Sequence, residues 1–175
     1  MDHIFPLVLS VILLIAMVND IRFQKIPNRL TYPAILLALI LHTVFRGGSG
    51  LLFSAEGLGL GIAIWVIPYL MGGMGAGDAK LMGVVGAFLG PKGLVIASLF
   101  TAVIGGFYAL GLLMFEGHLK ETGKRYAAML KTFLGTQKFI YLAPPQTEKP
   151  RKLCYGVAIA LGTIASLFWT YLTDI

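Results

Sequence analysis

Long apolar runs restrict the fold of this chain more than any other feature of its sequence. They cover residues 4–18, 30–45, 57–72, 81–115 and 153–172. Charged residues make up 13% of the 175 residues, whereas a typical soluble domain contains about a quarter. We therefore expect an all-α polytopic membrane protein and exclude a soluble globular domain.

The tract over residues 81–115 is too long for one membrane crossing. As a single helix it would measure roughly 50 Å, against a bilayer core of about 30 Å. Gly90-Pro91-Lys92 interrupts it, which predicts a short helix over 79–90 and a longer one over 93–115. The short helix must start deeper, thin the bilayer or lie behind its neighbours. Counting both, the sequence predicts about six transmembrane helices.

The distribution of basic residues supports this count. Of the 14 lysines and arginines, 12 fall in residues 19–29, 73–80 and 116–152, which six crossings place on the same side of the membrane. Only Arg46 and Lys92 fall on the opposite side. Because short basic loops remain in the cytoplasm, we expect these three segments to be cytoplasmic and both termini to lie outside. Five crossings would separate the basic segments, so that arrangement is rejected.

Residues 116–152 form the only long polar segment. Apolar residues recur there at helical spacing between lysines, which predicts an amphipathic helix on an anionic cytoplasmic membrane surface. A gate or docking site for a substrate is the alternative. We treat residues 1–175 as one membrane domain in which this segment is an insertion. Because the net charge of +6 is explained by membrane orientation, no nucleic-acid partner is expected.

Cysteine and histidine are too sparse for several kinds of site. Cys154 is the only cysteine, so no disulfide can form within the chain. The three histidines are scattered along the sequence, which makes a zinc site with several ligands unfavourable. We expect neither a bound metal nor a cofactor.

Two aspartates differ from the other acidic residues because each lies at a membrane boundary. Asp20 ends the first apolar run, and Asp78 follows Gly75-Ala76-Gly77. Six crossings place both at the same membrane face, where a costly ionisable group is a functional candidate. Each also has a structural interpretation. Asp78 could cap the following helix, and Asp20 could form a weak surface ion pair with Arg22 or Lys25.

A pair of carboxylates can hydrolyse a peptide bond. Hydrolysis needs a base that activates water and an acid that protonates the scissile group. Two nearby carboxylates share one proton, so one acts as base and the other as acid. The sequence does not identify which is which, because the pair titrates as a unit. Gly75 and Gly77 lack side chains, so an extended peptide could approach the backbone beside Asp78.

The sequence around these aspartates resembles that of the type IV prepilin peptidases, a group of GxGD membrane aspartyl peptidases. The resemblance rests on Asp20, on Ile26-Pro27-Asn28 and on Gly75-Ala76-Gly77-Asp78-Ala79-Lys80-Leu81. In addition, Tyr155-Gly156 resembles the Tyr-Gly segment that opens the last helix of that family. The resemblance covers most of the predicted membrane part of the chain.

The resemblance implies an activity and a location. A prepilin peptidase removes the short basic leader of prepilin-like proteins at the cytoplasmic face of a bacterial or archaeal cytoplasmic membrane. By position, Asp20 and Asp78 match the two catalytic aspartates. The remaining matched motif positions, to which no chemistry is assigned, are Gly75, Gly77, Lys80, Pro27 and Asn28.

The chain is similar to the short, peptidase-only members of the family, such as those of tight-adherence (Flp-type) pili. Bifunctional members have an N-terminal methyltransferase region, often with four zinc-binding cysteines, so N-methylation is not implied here. Two alternatives stay open. One is a small proton-coupled transporter in which Asp20 and Asp78 relay protons, although both lie at one face. The other is a non-catalytic pilus assembly protein whose aspartates cap helices and pair with lysines.

Overall fold

The computed structural model describes residues 4–115 and 154–173. The regular structure in these residues is helical and comprises α1 (Ile4–Phe23), α2 (Asn28–Leu70), α3 (Ala76–Phe115) and α4 (Tyr155–Thr173). Each of the four is long and apolar enough to cross a membrane. The predicted class of all-α membrane protein is thus confirmed. The amphipathic helix predicted within 116–152 lies outside the described residues.

The chain forms two compact units. The first comprises Met1–Gly105 together with Leu153–Ile175, and the second comprises Gly106–Lys152. In the second unit, the described residues continue the α3 helix as far as Phe115. All contacts described below lie within the first unit.

One non-helical residue, Gly47, divides α2. Its φ of 63° and ψ of −147° suit a residue without a side chain. The rings of His42 and Phe53 would be about 16 Å apart along a straight helix, but their centroids are 5.2 Å apart. The chain therefore reverses direction at Gly47. The segment 46–56, which the sequence predicted to join two spans, is helical on both sides of this turn.

A second reversal occurs in α3 at Gly90, where φ is 69° and ψ is −177°. The ring of Phe53 lies against Gly90. Twelve residues further along α2, the indole nitrogen of Trp65 donates a hydrogen bond to the Ser98 hydroxyl at 3.1 Å. The residues after Gly90 therefore run back along the second half of α2. This break agrees with the one predicted at Gly90-Pro91-Lys92.

The first half of α3 is the centre of the bundle. From Leu81 to Phe88, every residue is buried, and this stretch joins α1 and α2 in one hydrophobic core. The backbones of Gly57 and Gly86 are in direct contact, as expected where small residues let membrane helices approach closely. Of the three arrangements open to this short helix, the structure therefore has it behind its neighbours.

Candidate active site

Asp20 lies in the last turn of α1 and is 5% exposed. Its Oδ2 accepts a hydrogen bond of 2.8 Å from the backbone N–H of Gly156, the second residue of α4. Amide groups in the first turn of a helix have no partner within the helix and favour negative charge. This buried contact differs from the surface ion pair with Arg22 or Lys25 considered from the sequence.

Asp78 is the third residue of α3 and is 8% exposed. Its Oδ2 accepts a hydrogen bond of 2.9 Å from the backbone N–H of Gly75. This is the contact that the acidic residue of a capping box makes, so Asp78 does cap the helix, but from its third position. A carboxylate offers about four acceptor positions, so one capping bond leaves capacity for chemistry.

Cys154 lies beside Asp20, and the charges of both Asp20 and Asp78 affect its thiol. Its Sγ lies 3.7 Å from the backbone oxygen of Asp20. Partial burial raises the pKa of the Cys154 thiol, and the negative charges of Asp20 and Asp78 raise this pKa further. The segment that follows Asp20 also contacts the residue before Asp78, since Ile26 lies against Gly77. The structure brings the two predicted acids together at one end of the bundle.

Ile26-Pro27-Asn28 joins α1 to α2 and packs against the start of α3. A Cβ atom placed on Gly77 would lie 3.1 Å from Cβ of Ile26 and 3.2 Å from its carbonyl oxygen. The absence of a side chain at Gly77 thus permits this contact between segments. Gly75, by contrast, is exposed. The predicted approach of a peptide backbone fits Gly75, whereas Ile26 covers the position that a side chain at Gly77 would occupy.

Lys80 links the beginnings of α2 and α3. Its Nζ donates hydrogen bonds to Oδ1 of Asn28 at 2.9 Å and to the hydroxyl of Tyr32 at 3.2 Å. The same nitrogen lies 5.1 Å from the centroid of the Tyr32 ring. Pro27 precedes this contact, and its carbonyl oxygen accepts the backbone N–H of Leu30 at 2.9 Å. These motif residues connect the two helices beside Asp78.

Gly156 is a site residue that was not among those predicted. A Cβ atom at this position would lie 2.9 Å from Oδ2 of Asp20, so a side chain would displace the carboxylate. Tyr155 precedes it, and the Tyr155 ring packs against Trp65 with centroids 6.2 Å apart. The available signal was a glycine at the start of the last apolar run.

The model of the type IV leader peptidase family matches residues 7–110, well over half of the chain. Asp20, Asp78 and the motif segments that connect α1 to α2 and α2 to α3 all lie within the match. The chain belongs to the type IV leader peptidase family. The resemblance predicted from the motifs is thereby confirmed.

Curated members of the type IV leader peptidase family resemble the chain over part of their length. The prepilin leader peptidase/N-methyltransferase of Bacillus subtilis (strain 168) is 35% identical over 116 residues, which are 64% of this chain and 46% of that protein. The protein of the same name from Aeromonas hydrophila is 32% identical over 105 residues, or 57% and 36%. The one from Xanthomonas campestris is 34% identical over 112 residues, or 58% and 39%.

The chain therefore spans less than half the length of these relatives. No solved structure matches it.

Proposed function

We propose that this member of the type IV leader peptidase family is an aspartic endopeptidase with Asp20 and Asp78 as its catalytic residues. Its substrate is a prepilin-like membrane protein, from which it removes the short basic leader at the cytoplasmic face. One observation carries the proposal. Two buried carboxylates come from different helices whose ends meet, since Ile26 after Asp20 packs against Gly77 beside Asp78, and each carboxylate is held by a backbone N–H at a helix start.

The chemistry follows from a carboxylate pair that shares one proton. The ionised aspartate takes a proton from water as the water oxygen attacks the scissile carbonyl carbon. The protonated aspartate gives its proton to the carbonyl oxygen, which yields a tetrahedral diol. As the diol collapses, one of its hydroxyl groups returns a proton to the aspartate that acted as acid, the C–N bond breaks, and the leaving nitrogen receives the proton held by the base. Exposed Gly75, three residues before Asp78, is where an extended leader lies beside the pair.

The reversals at Gly47 and Gly90 support six crossings. Between them, the chain passes the length of the bundle and returns, so that Asp20, Asp78 and Gly156 lie at one end and Gly47 and Gly90 at the other. The end with the acids also carries the basic segments 19–29 and 73–80. By the positive-inside rule that end faces the cytoplasm, where anionic lipids attract basic segments.

The test is leader removal by the full chain co-expressed with a prepilin-like substrate. We expect Asp20→Asn and Asp78→Asn each to reduce cleavage by about 10²–10⁴-fold, the usual contribution of a general acid or base. Glu56→Gln is the matched control, because Glu56 is exposed and lies outside the site. The mass of the product reports cleavage, and gel filtration of the purified variants reports folding.

Three outcomes contradict the proposal or part of it. Full activity of either variant would remove that aspartate from the mechanism. Loss of activity in Glu56→Gln would mean that the assay reports general damage. If the folded wild-type chain does not cleave the substrate, the transporter and the non-catalytic assembly protein become the favoured alternatives. The same product mass tests the predicted lack of N-methylation, since a methylated N-terminus is heavier by one methyl group.

A further inference from the structure

A cavity of about 690 Å³ lies at the end of the bundle away from the aspartates. Residues of all four helices contribute to its lining. Aromatic residues and two cations share its wall, and these are Phe5, Phe53, Phe88, Arg46 and Lys92. Its volume lies in the range of cavities that hold small molecules.

Arg46 and Lys92 are the two basic residues that the predicted orientation leaves outside the cytoplasmic segments. They follow different spans in the sequence, yet both line this cavity, because the reversals at Gly47 and Gly90 lie close together. The guanidinium carbon of Arg46 lies 6.0 Å from the ring centroid of Phe5 and 5.8 Å from that of Phe53. Among the described residues that line the cavity, none is acidic. Both exceptions to the positive-inside pattern thus meet at one site.

His42 is a buried polar residue in the cavity wall. It is 2% exposed, stacks on Phe5 with centroids 4.3 Å apart, and lines the cavity. Its Nε2 lies 3.1 Å from the carbonyl oxygen of Phe88, so Nε2 is the donor and Nδ1 of the neutral ring is an acceptor. Within the described part of the chain, Nδ1 has no partner. Nδ1 is itself buried, so the cations and the apolar wall determine what the cavity can bind.

Apolar surface continues from the cations toward the membrane. Ile96, Leu167 and Tyr171 line the same cavity, and Tyr171 is 58% exposed. An occupant that complements the whole cavity must therefore combine negative charge with a hydrocarbon portion. Free phosphate supplies only the first of these, and a zwitterionic lipid adds a positive group beside two cations.

We propose that this cavity binds an anionic phospholipid. Arg46 and Lys92 hold the phosphate, as basic groups between membrane helices hold lipid headgroups. An acyl chain lies along Ile96 and Leu167. The site is separate from the aspartates, and the proposal does not depend on peptidase activity.

The experiment is native mass spectrometry of the full-length protein purified in detergent. The probes are phosphatidylglycerol, phosphatidylcholine and inorganic phosphate. We expect a phosphatidylglycerol adduct that survives activation energies at which the phosphatidylcholine adduct dissociates. The double variant Arg46→Gln/Lys92→Gln should bind phosphatidylglycerol roughly thirtyfold more weakly, since each cation contributes about fivefold. Arg29→Gln removes an exposed cation at the other end and should leave binding unchanged.

Equal retention of the two lipids by the wild-type protein would overturn the proposal, whether or not any variant folds. Unchanged affinity in the folded double variant would remove the two cations from the site. Displacement of the lipid by an equal concentration of inorganic phosphate would assign the cavity to phosphate alone. Asp78→Asn should bind the lipid normally, so that loss of peptidase activity and loss of lipid binding are distinguishable.

Discussion

At the scale of single residues, the two acids are held in different ways. Asp78 is fixed by Gly75, three residues earlier and at the start of the same helix. Asp20 is fixed by Gly156, which is 136 residues later and opens another helix. The position of the Asp78 carboxylate is thus a local property of the start of α3. The position of the Asp20 carboxylate exists only when α1 and α4 pack together.

Gly156→Ala tests whether the contact with α4 positions Asp20 for catalysis. A Cβ atom there would lie 2.9 Å from Oδ2 of Asp20, so the carboxylate must move. Misplacement of a reacting group by about 1 Å can cost roughly 10²-fold in rate. We therefore expect kcat for leader cleavage to fall by about 10²-fold. We expect KM to change little, because Gly156 contacts the acid and not the leader.

The matched control for this variant is Gly59→Ala. Nothing lies within 4 Å of a Cβ atom at Gly59, so its substitution adds a methyl group without displacing a neighbour. Steady-state kinetics of both purified variants on the same substrate make the comparison. Wild-type kcat in Gly156→Ala would show that the anchor at α4 does not position the acid.

At the scale of secondary-structure elements, the first half of α3, from Ala76 to the reversal at Gly90, organises the site. Its residues from Leu81 to Phe88 are buried on all sides, so lipid does not need to solvate this short helix. The backbone contact of Gly57 with Gly86 holds it against α2. Because its first turn carries Asp78, this packing also determines how deep the acid lies within the bundle.

Gly90→Ala tests the reversal that ends this helix. The substitution combines a positive φ of 69° with a Cβ atom inside the ring of Phe53. Gly47→Ala imposes a similar φ in open space, and Gly48→Ala imposes neither. We expect Gly47→Ala to lower the free energy of unfolding by about 1–3 kcal/mol. Gly90→Ala should lower it by about a further 1–3 kcal/mol, because the core is overpacked.

Thermal unfolding of the purified variants in detergent measures their relative stabilities. Gly48→Ala should be neutral or slightly stabilising, because alanine exceeds glycine in helix propensity by about 1 kcal/mol. Phe53→Leu should recover part of the loss in Gly90→Ala and none of the loss in Gly47→Ala. Equal losses of stability in Gly47→Ala and Gly90→Ala would show that the Phe53 ring moves aside without a cost in free energy.

The two reversals also show what the sequence could and could not predict. The break at Gly90 was predicted because glycine, proline and lysine interrupt an apolar tract that is too long for one span. The turn at Gly47 was predicted only as part of a segment, 46–56, that joins the apolar runs 30–45 and 57–72. In the structure, Ser54 donates to the carbonyl oxygen of Ala87 at 2.8 Å. Such contacts keep the segment helical, but they join residues far apart and leave no local pattern.

The residues of the candidate site were also predicted only in part. Asp20 and Asp78 could be predicted because an acidic residue beside an apolar run is rare and costly. Gly156 was found only as part of the Tyr155-Gly156 motif, and its role could not be predicted, because that role depends on Asp20 and on the packing of two helices. Lys80 and Asn28 were found as motif residues, but their hydrogen bond joins positions 52 residues apart. A single sequence therefore located the motif without giving the physical reason for it.

At the scale of the whole molecule, α1 separates two ends with different chemistry. Phe5 at its start lies in the wall of the cavity that contains Arg46, and Asp20 near its end meets Gly156. Fifteen residues of helix between Phe5 and Asp20 measure about 22 Å, a large part of a hydrocarbon core of about 30 Å. The acids and the cavity therefore belong to opposite membrane boundaries when α1 crosses the bilayer.

This arrangement predicts which exposed positions are accessible from each side of the membrane. In a Cys154→Ala background, single cysteines replace Lys25, Ser49 and Met71, all of which are exposed. Lys25 precedes α2, Ser49 follows its reversal, and Met71 follows its end. A membrane-impermeant maleimide should label Ser49→Cys in intact cells, and it should label Lys25→Cys and Met71→Cys only after permeabilisation. Labelling is measured by the mass increase of the purified protein.

Met71→Cys separates the two descriptions of α2. If α2 crossed the membrane once as a continuous helix, Lys25 and Met71 would lie on opposite faces. Because the chain reverses at Gly47, six crossings place them on the same face, next to Asp20 and Asp78. Opposite accessibility of these two positions would exclude six crossings. Labelling of Lys25→Cys and Met71→Cys in intact cells, with Ser49→Cys protected, would agree with six crossings in the inverted orientation. The two aspartates would then lie at the outer face of the membrane and could not cleave a leader in the cytoplasm.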